Sequence, residues 1–283
     1  MRHRSTRVLR LVGVACLLAA PETARAVDLM RPLDGGEQVP FRIVPAIDLA
    51  LMGLGLSVVA GLKFTAAPPP ADRPPETLWD LDAPIVTWGV HDESRWTSDL
   101  AVSAAVAAAT ADAAVSAGRD DVEAGAVKFT LYAQSVMTTL ALTEIAKQSF
   151  QRPRPCTHQP ARRLRPRLGC GPDDKDAYLS FFSGHSATAA ALSATATTLS
   201  YGDDGFGART ALTLTGGLAL TTFVAVERMR AGKHFPTDVL TGVLVGGAVG
   251  TLVPYLHRTP GGGDAKRTSE TATTPLWSFG AAF

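Results

Sequence analysis

Past residue 26, charge thins out along six stretches: Leu49–Leu62, Leu100–Ala117, Ala126–Ala146, Ser186–Tyr201, Thr210–Val226 and Pro236–Leu256. Each is built from Ala, Val, Leu, Gly, Ser and Thr, and each reads as a helix. In Ala126–Ala146, Phe129, Tyr132, Val136, Leu140 and Thr143 recur at helical spacing and form one stripe. The first stretch runs back towards Phe41 only by taking in Pro45 and Asp48, and the second is interrupted by Asp112. Between them lie an irregular segment at 27–40, a Pro-rich, acidic and aromatic loop with one short helix at 65–96, and a polar loop from Gln148 to Leu179. The tail from His257 is rich in Gly, Thr and Ser and is expected to be flexible. No alternation is long enough for a sheet, so the fold class is all-α, a helical bundle with several transmembrane helices. The expected units are a signal peptide (1–26), an N-terminal segment with one apolar helix and a Pro-rich loop (27–96), the bundle (97–256) and the tail (257–283).

Composition narrows this only partly. Hydrophobic residues make up 46% of the chain and the mean hydropathy is +0.12, high for a soluble protein and low for a polytopic membrane protein. Small residues let membrane helices approach closely, yet an Ala-rich soluble bundle would look similar. A formal charge of +1 leaves no general basic field, so no nucleic-acid partner is expected. Arg2, Arg4, Arg7 and Arg10, the short apolar run Leu11–Ala20 and Ala24-Arg25-Ala26 read as an export signal cut after Ala26; an uncleaved anchor is the alternative. Cys16 fits a lipoprotein signal poorly. Loss of the signal leaves Cys156 and Cys170 flanking the Pro- and Arg-rich loop, a plausible disulfide in an exported chain. Closing that loop stabilises by roughly 3 kcal/mol in the chain-entropy account. The alternative is two free thiols; no His or Cys cluster nearby offers a zinc site.

The chemistry sits at helix ends, in three clusters. In "KQSFQRPRP", prolines stop the helix after Lys147 and Arg154 follows in the turn; two cations, one with a guanidinium fork, suit a phosphate. A solvated basic helix end is the plain alternative. In Ser183-Gly184-His185, Ser183 can cap a helix, Gly184 admits close approach, the first N–H groups face any anion there, and His185 can donate a proton. In "ERMRAGKHFPTDVL", Arg228 ends one helix, Gly232 turns the chain and Pro236 opens the next. Asp238, four residues after His234, can reach one ring nitrogen and leave the other as a nucleophile or base. An i,i+4 ion pair is the structural alternative.

Taken together, Lys147-x6-Arg154-Pro155, Ser183-Gly184-His185 and Arg228-x5-His234-x3-Asp238 resemble the three-part signature of the type 2 phosphatidic acid phosphatase and vanadium haloperoxidase superfamily, over residues 126–256. Phe182 stands where that family often has Pro, and Glu227 where it often has Ser; Glu227 could alter the field around Arg228. The resemblance implies a bundle of that type and a metal-independent phosphatase with no cofactor. His234 would form a phosphohistidine, Asp238 would orient it, and His185 would protonate the leaving oxygen. Lys147, Arg154, Ser183, the Gly184 amide and Arg228 would hold the phosphate.

The expected substrate is a lipid phosphate: phosphatidic acid, phosphatidylglycerol phosphate, undecaprenyl pyrophosphate or lipid A. The expected place is the bacterial inner membrane, with the site facing the periplasm. A soluble periplasmic acid phosphatase is the alternative, and a vanadate-dependent haloperoxidase ranks below it. Topology sets a puzzle. A mature N-terminus left outside, followed by three spans, would put the catalytic loop in the cytoplasm, where a disulfide does not belong. The loop arginines Arg152, Arg154, Arg162, Arg163, Arg165 and Arg167 also run against the positive-inside trend.

Overall fold

The computed structural model describes residues 29–35, 39–65, 80–158, 170 and 174–259. The expected signal segment, residues 66–79 of the Pro-rich loop, Arg162, Arg163, Arg165 and Arg167, and the tail beyond 259 lie outside the described residues.

The helices start and stop where the local chemistry directs. The first, α1 (Pro45–Thr65), takes in both residues that had counted against its extension. Proline fits a first helical turn, whose N–H groups lack intrahelical partners anyway. Asp48 accepts the Val44 N–H at 2.8 Å, closing the helix start. Two longer helices follow, α2 (Glu93–Arg119) and α3 (Val122–Phe150). Asp121 caps α3 by accepting the Ala124 N–H at 2.7 Å, and Gln151 ends it in the left-handed region, at φ 43°, ahead of Pro153. The last three are α4 (Gly184–Asp204), α5 (Ala208–Arg230) and α6 (Pro236–Leu256), the last with the bounds expected from the sequence. Before α1, β1 (Leu33–Asp34) and β2 (Arg42–Ile43) form a minimal antiparallel hairpin. The short helix of the Pro-rich loop is a 3-10 turn, Ala83–Thr87.

The bundle is built around α4, which packs against α2, α3, α5 and α6. Its closest partner is α6. A Cβ on Gly242, Gly246 or Gly250 would stand 2.6, 2.0 or 2.2 Å from the carbonyl oxygens of Ser183, Ala187 and Ala191. Backbones that close exclude every larger residue, so this glycine repeat holds the start of α6 against the start of α4.

The expected stripe on α3 is only partly the buried face. Tyr132 and Thr143 are buried, but Phe129 is 54% exposed. The buried positions carry Ala124, Val127, Lys128, Leu131, Ser135 and Thr139 instead. Polar residues such as Lys128, Ser135 and Thr139 point inward here beside Val127 and Leu131, while other large apolar side chains point outward. The same inversion holds elsewhere: Leu49, Leu54 and Leu56 on α1, Leu212 on α5, and Leu244 and Leu252 on α6 are all exposed. Among the described residues four helices, α1 (Pro45–Phe64), α2, α5 and α6, are long and apolar enough to cross a membrane. Lipid covers such faces without cost, whereas water does not, so the protein is membrane-embedded.

The helices alternate in direction. Asp48 at the start of α1 bonds His257 just after α6, at 2.9 Å. Lys63 at the end of α1 lies 4.0 Å from Glu144 near the end of α3. One end of the bundle therefore holds the starts of α2, α4 and α6 and the ends of α1, α3 and α5.

Candidate active site

All three polar clusters meet at that end. They enclose a cavity of about 670 Å³ whose walls include Lys147, Arg154, Gly184, His185, Arg228 and His234. Ser183 and Asp238 are fully buried one layer behind. Of the expected phosphatase residues, six line the cavity and two support it from behind.

The last turn of α3 delivers Lys147, whose Nζ lies 3.6 Å from Glu144. Arg154 stands between Pro153 and Pro155, just past the end of α3; its backbone N–H donates to Ala177 O at 2.8 Å. Its guanidinium is buried, 3.9 Å from Asp176, and its Nε has no partner. Arg228, in the last turn of α5, donates to Ser98 Oγ at 3.3 Å and lies 3.6 Å from Asp99; its Nε is also unpartnered. A buried guanidinium N–H left unpaired is costly, and two of them on one cavity wall ask for an anion.

Ser183 caps α4, accepting the Ser186 N–H at 3.4 Å. A side chain at Gly184 would meet Thr143 Cγ2 at 3.2 Å and lie 3.8 Å from Lys147 Nζ. His185 bonds Asp99 through Nε2 at 2.8 Å. Asp99, on α2, thus touches both His185 and Arg228, and no local pattern marked it.

His234 follows the turn at Gly232 (φ 65°), where a Cβ would press on Val90 at 2.9 Å and Cys156 at 3.2 Å. Beneath that turn Cys156 and Cys170 are joined, Cα–Cα 5.9 Å, and the Cys156 N–H donates to Gly232 O. The geometry around His234 departs from expectation in one respect. Its Nδ1 donates to the Ser180 carbonyl at 2.7 Å, while Asp238 Oδ2 lies 3.9 Å away. A carbonyl only accepts, so Nδ1 carries the proton and Nε2 keeps its lone pair. Asp238 is occupied otherwise: it accepts from the Phe235 N–H at 2.8 Å, from Arg152 Nη1 at 2.7 Å and from Ser180 Oγ. The carboxylate caps α6 and reaches His234 mainly through Ser180.

Burial, with Arg228 and Arg154 nearby, drives the His234 pKa down to about 3, so its imidazole is neutral at pH 7. Burial beside Arg154, Arg95 and Arg228 lowers Lys233 to about 7. Glu227 turns away from the site and accepts from Thr97 and, at 3.2 Å, from Arg230. It does not pair with Arg228. Among the described residues no cluster of three His, Cys, Asp or Glu is placed to hold a metal ion.

A cavity walled by cations, with the neutral imidazole of His234 and the ring of His185 in its lining, is built to hold an anion such as a phosphate group. The family profile of the PAP2 superfamily matches residues 128–261, and no curated protein or solved structure matches the chain. Through that segment the chain belongs to the PAP2 superfamily, that of the type 2 phosphatidic acid phosphatases. Its activity is therefore of the phosphatase type, on phosphate esters.

Proposed function

We propose that the protein removes phosphate from a membrane lipid, as a phosphomonoester or pyrophosphate, through a phosphohistidine on His234. One observation carries this reading: the unpaired guanidinium donors of Arg154 and Arg228 share a cavity with the lone pair of a neutral His234. Nε2 attacks phosphorus and the bond to the leaving oxygen breaks; that oxygen takes its proton from His185. Burial and Arg228 hold the His185 pKa low, at about 4, and the negative charge of the bound phosphate raises it so that the ring carries the proton. Water then attacks phosphorus, gives its proton to His185, and the P–N bond breaks. Lys147, Arg154, Arg228 and the Gly184 amide hold the non-bridging oxygens as charge shifts, and Ser183 fixes the start of α4.

The lipid is inferred from the apolar outer faces, which set the site at the end of a membrane-crossing bundle. The Cys156–Cys170 bond supports a site on the oxidising, periplasmic side of the inner membrane. Because α1, α2 and α3 alternate, Pro45 then starts on the cytoplasmic side. That orientation fits an N-terminal segment kept in the cytoplasm with its arginines, rather than one cut off outside.

The test is phosphate release by wild type beside His234→Ala, with phosphatidic acid, undecaprenyl pyrophosphate, lipid A and p-nitrophenyl phosphate. Release from lipids, competitive inhibition by vanadate and loss in the variant by ~10⁴-fold or more are expected. Activity retained by His234→Ala would sink the assigned nucleophile; equal use of p-nitrophenyl phosphate would sink lipid selectivity. Intact spheroplasts given p-nitrophenyl phosphate, which does not cross the membrane, report the side: activity that appears only on lysis refutes the periplasmic orientation.

A further inference from the structure

Behind His234 lies a chain of buried charge that phosphate never touches. Arg152 stands between two carboxylates, with Nη1 2.7 Å from Asp238 Oδ1 and Nη2 2.7 Å from Asp82 Oδ2. Its guanidinium also covers the Phe235 ring at 4.2 Å. Asp82 reaches further: Oδ1 accepts the Thr237 N–H at 3.0 Å and Oδ2 accepts the Thr237 hydroxyl at 2.7 Å. Both carboxylates are 0% exposed. Asp82 comes from the segment just before the Ala83–Thr87 turn and lies outside residues 128–261, which match the family.

The sign of the cluster is informative. An Arg152–Asp238 pair alone would be neutral and would leave nothing to balance positive charge on the imidazole. With Asp82 the three groups sum to one negative charge, on the side of His234 away from the cavity. A phosphorylated imidazole carries positive charge on its ring, and a fixed anion behind it stabilises that state more than the neutral resting one. The same bonds clamp the first turn of α6, from which Asp238 holds Ser180, and Ser180 holds His234 Nδ1.

We propose that Asp82 is a positioning residue for phosphoryl transfer, acting through Arg152, Thr237 and Asp238 to hold His234 aimed and its back side anionic. This rests on the phosphatase reading above. The experiment compares Asp82→Asn, which keeps shape and removes charge, with Thr237→Val, which removes the hydroxyl's bonds to Asp82 and Arg152 and no charge. Asp82→Asn should lower kcat about 10–100-fold, as loss of a buried orienting partner does elsewhere, with KM within about twofold of wild type. Thr237→Val should lower thermal stability and cost less kcat than Asp82→Asn does, because it loosens the clamp and leaves the charge in place, and Asp82→Glu should recover part of the loss. If Asp82→Asn does not fold, the double variant Asp82→Asn with Arg152→Gln keeps the single negative charge; its kcat should exceed that of Arg152→Gln alone. Asp82→Asn within twofold of wild type, equal kcat losses in Asp82→Asn and Thr237→Val, or a double variant slower than Arg152→Gln, would each overturn the assignment. A wild type with no phosphate release overturns both readings, whereas an active wild type with an equally active Asp82→Asn overturns this one alone.

Discussion

Both ends of the bundle bury charge, and they do so in opposite ways. At the end away from the cavity, Lys128 Nζ lies 2.6 Å from Asp203, and Arg209 bridges Asp203 at 2.8 Å and Asp112 at 2.7 Å. Tyr132 completes the set by donating to Asp112 at 3.0 Å. Each of these cations meets a carboxylate at hydrogen-bond distance. At the cavity end, Lys147, Arg154 and Arg228 face carboxylates only at 3.6–3.9 Å, and two guanidinium Nε atoms lack partners. Close pairing locks helices together; cations held apart from their acids around an open space are held for something else. The lesson is that buried cations held clear of their acids around an open cavity are placed for an anion from outside.

The comparison breaks most visibly if one cation is removed from each end. Arg154→Ala should lower kcat/KM by about 10²–10³-fold, the usual loss for one donor to developing charge, with the unfolding midpoint unchanged or slightly raised. Lys128→Met should do the reverse. Opening a buried ion pair costs about 3–5 kcal/mol, towards the lower figure here because Arg209 still faces Asp203, and kcat per folded molecule should hold. Measured kcat/KM and thermal midpoints for the two variants decide it; a stability loss in Arg154→Ala matching that of Lys128→Met would erase the distinction between the ends.

A smaller effect follows from the depressed pKa of His234. The nucleophile must be neutral, so the acid limb of kcat/KM set by His234 should lie well below pH 6.5, near its value of about 3. Arg228→Ala removes a cation that opposes protonation, so the limb should move to higher pH in the residual activity. The stability sign is fixed as well. Between pH 6.5 and about 3 the unfolded chain binds a proton that the folded one refuses, so stability falls as pH drops through that range. His234→Ala should flatten that part of the slope. A wild-type limb at pH 6.5 on a substrate already ionised there would refute the neutral buried nucleophile.

Much of the site was legible because its groups cluster at helix ends with fixed spacings. Lys147, Arg154, Gly184, His185, Arg228 and His234 converge as their chain order implied. The boundaries of α6 were legible too, since Pro236 is a start signal and the apolar run is unbroken. What escaped is non-local or inverted. Asp82 meets Thr237 across 155 residues and Asp99 meets His185 across 86, and no local period announces such pairs. Ser180 contributes mainly a carbonyl, which every residue carries. The α3 stripe misled because an apolar stripe signals a core only in water; beside lipid, Phe129 turns outward and Lys128 is buried with its acid.

The smallest expected effect concerns Glu227, the residue beside Arg228 that departs from the family's usual Ser. From the sequence it could have tuned the field at Arg228. In the structure its carboxylate is taken by Thr97 and Arg230, on the side of α5 facing α2. A charge already bonded and turned from the cavity acts on Arg228 only through screened Coulomb terms. Glu227→Ser should therefore leave kcat/KM within about twofold of wild type, while loss of the Thr97 and Arg230 contacts lowers the unfolding midpoint slightly, in keeping with about 1 kcal/mol for bonds of this kind. Steady-state kinetics with a calorimetric scan measures both. A tenfold change in kcat/KM would mean that this carboxylate belongs to the electrostatics of the cavity, and that incomplete pairing alone does not mark which buried charges work there.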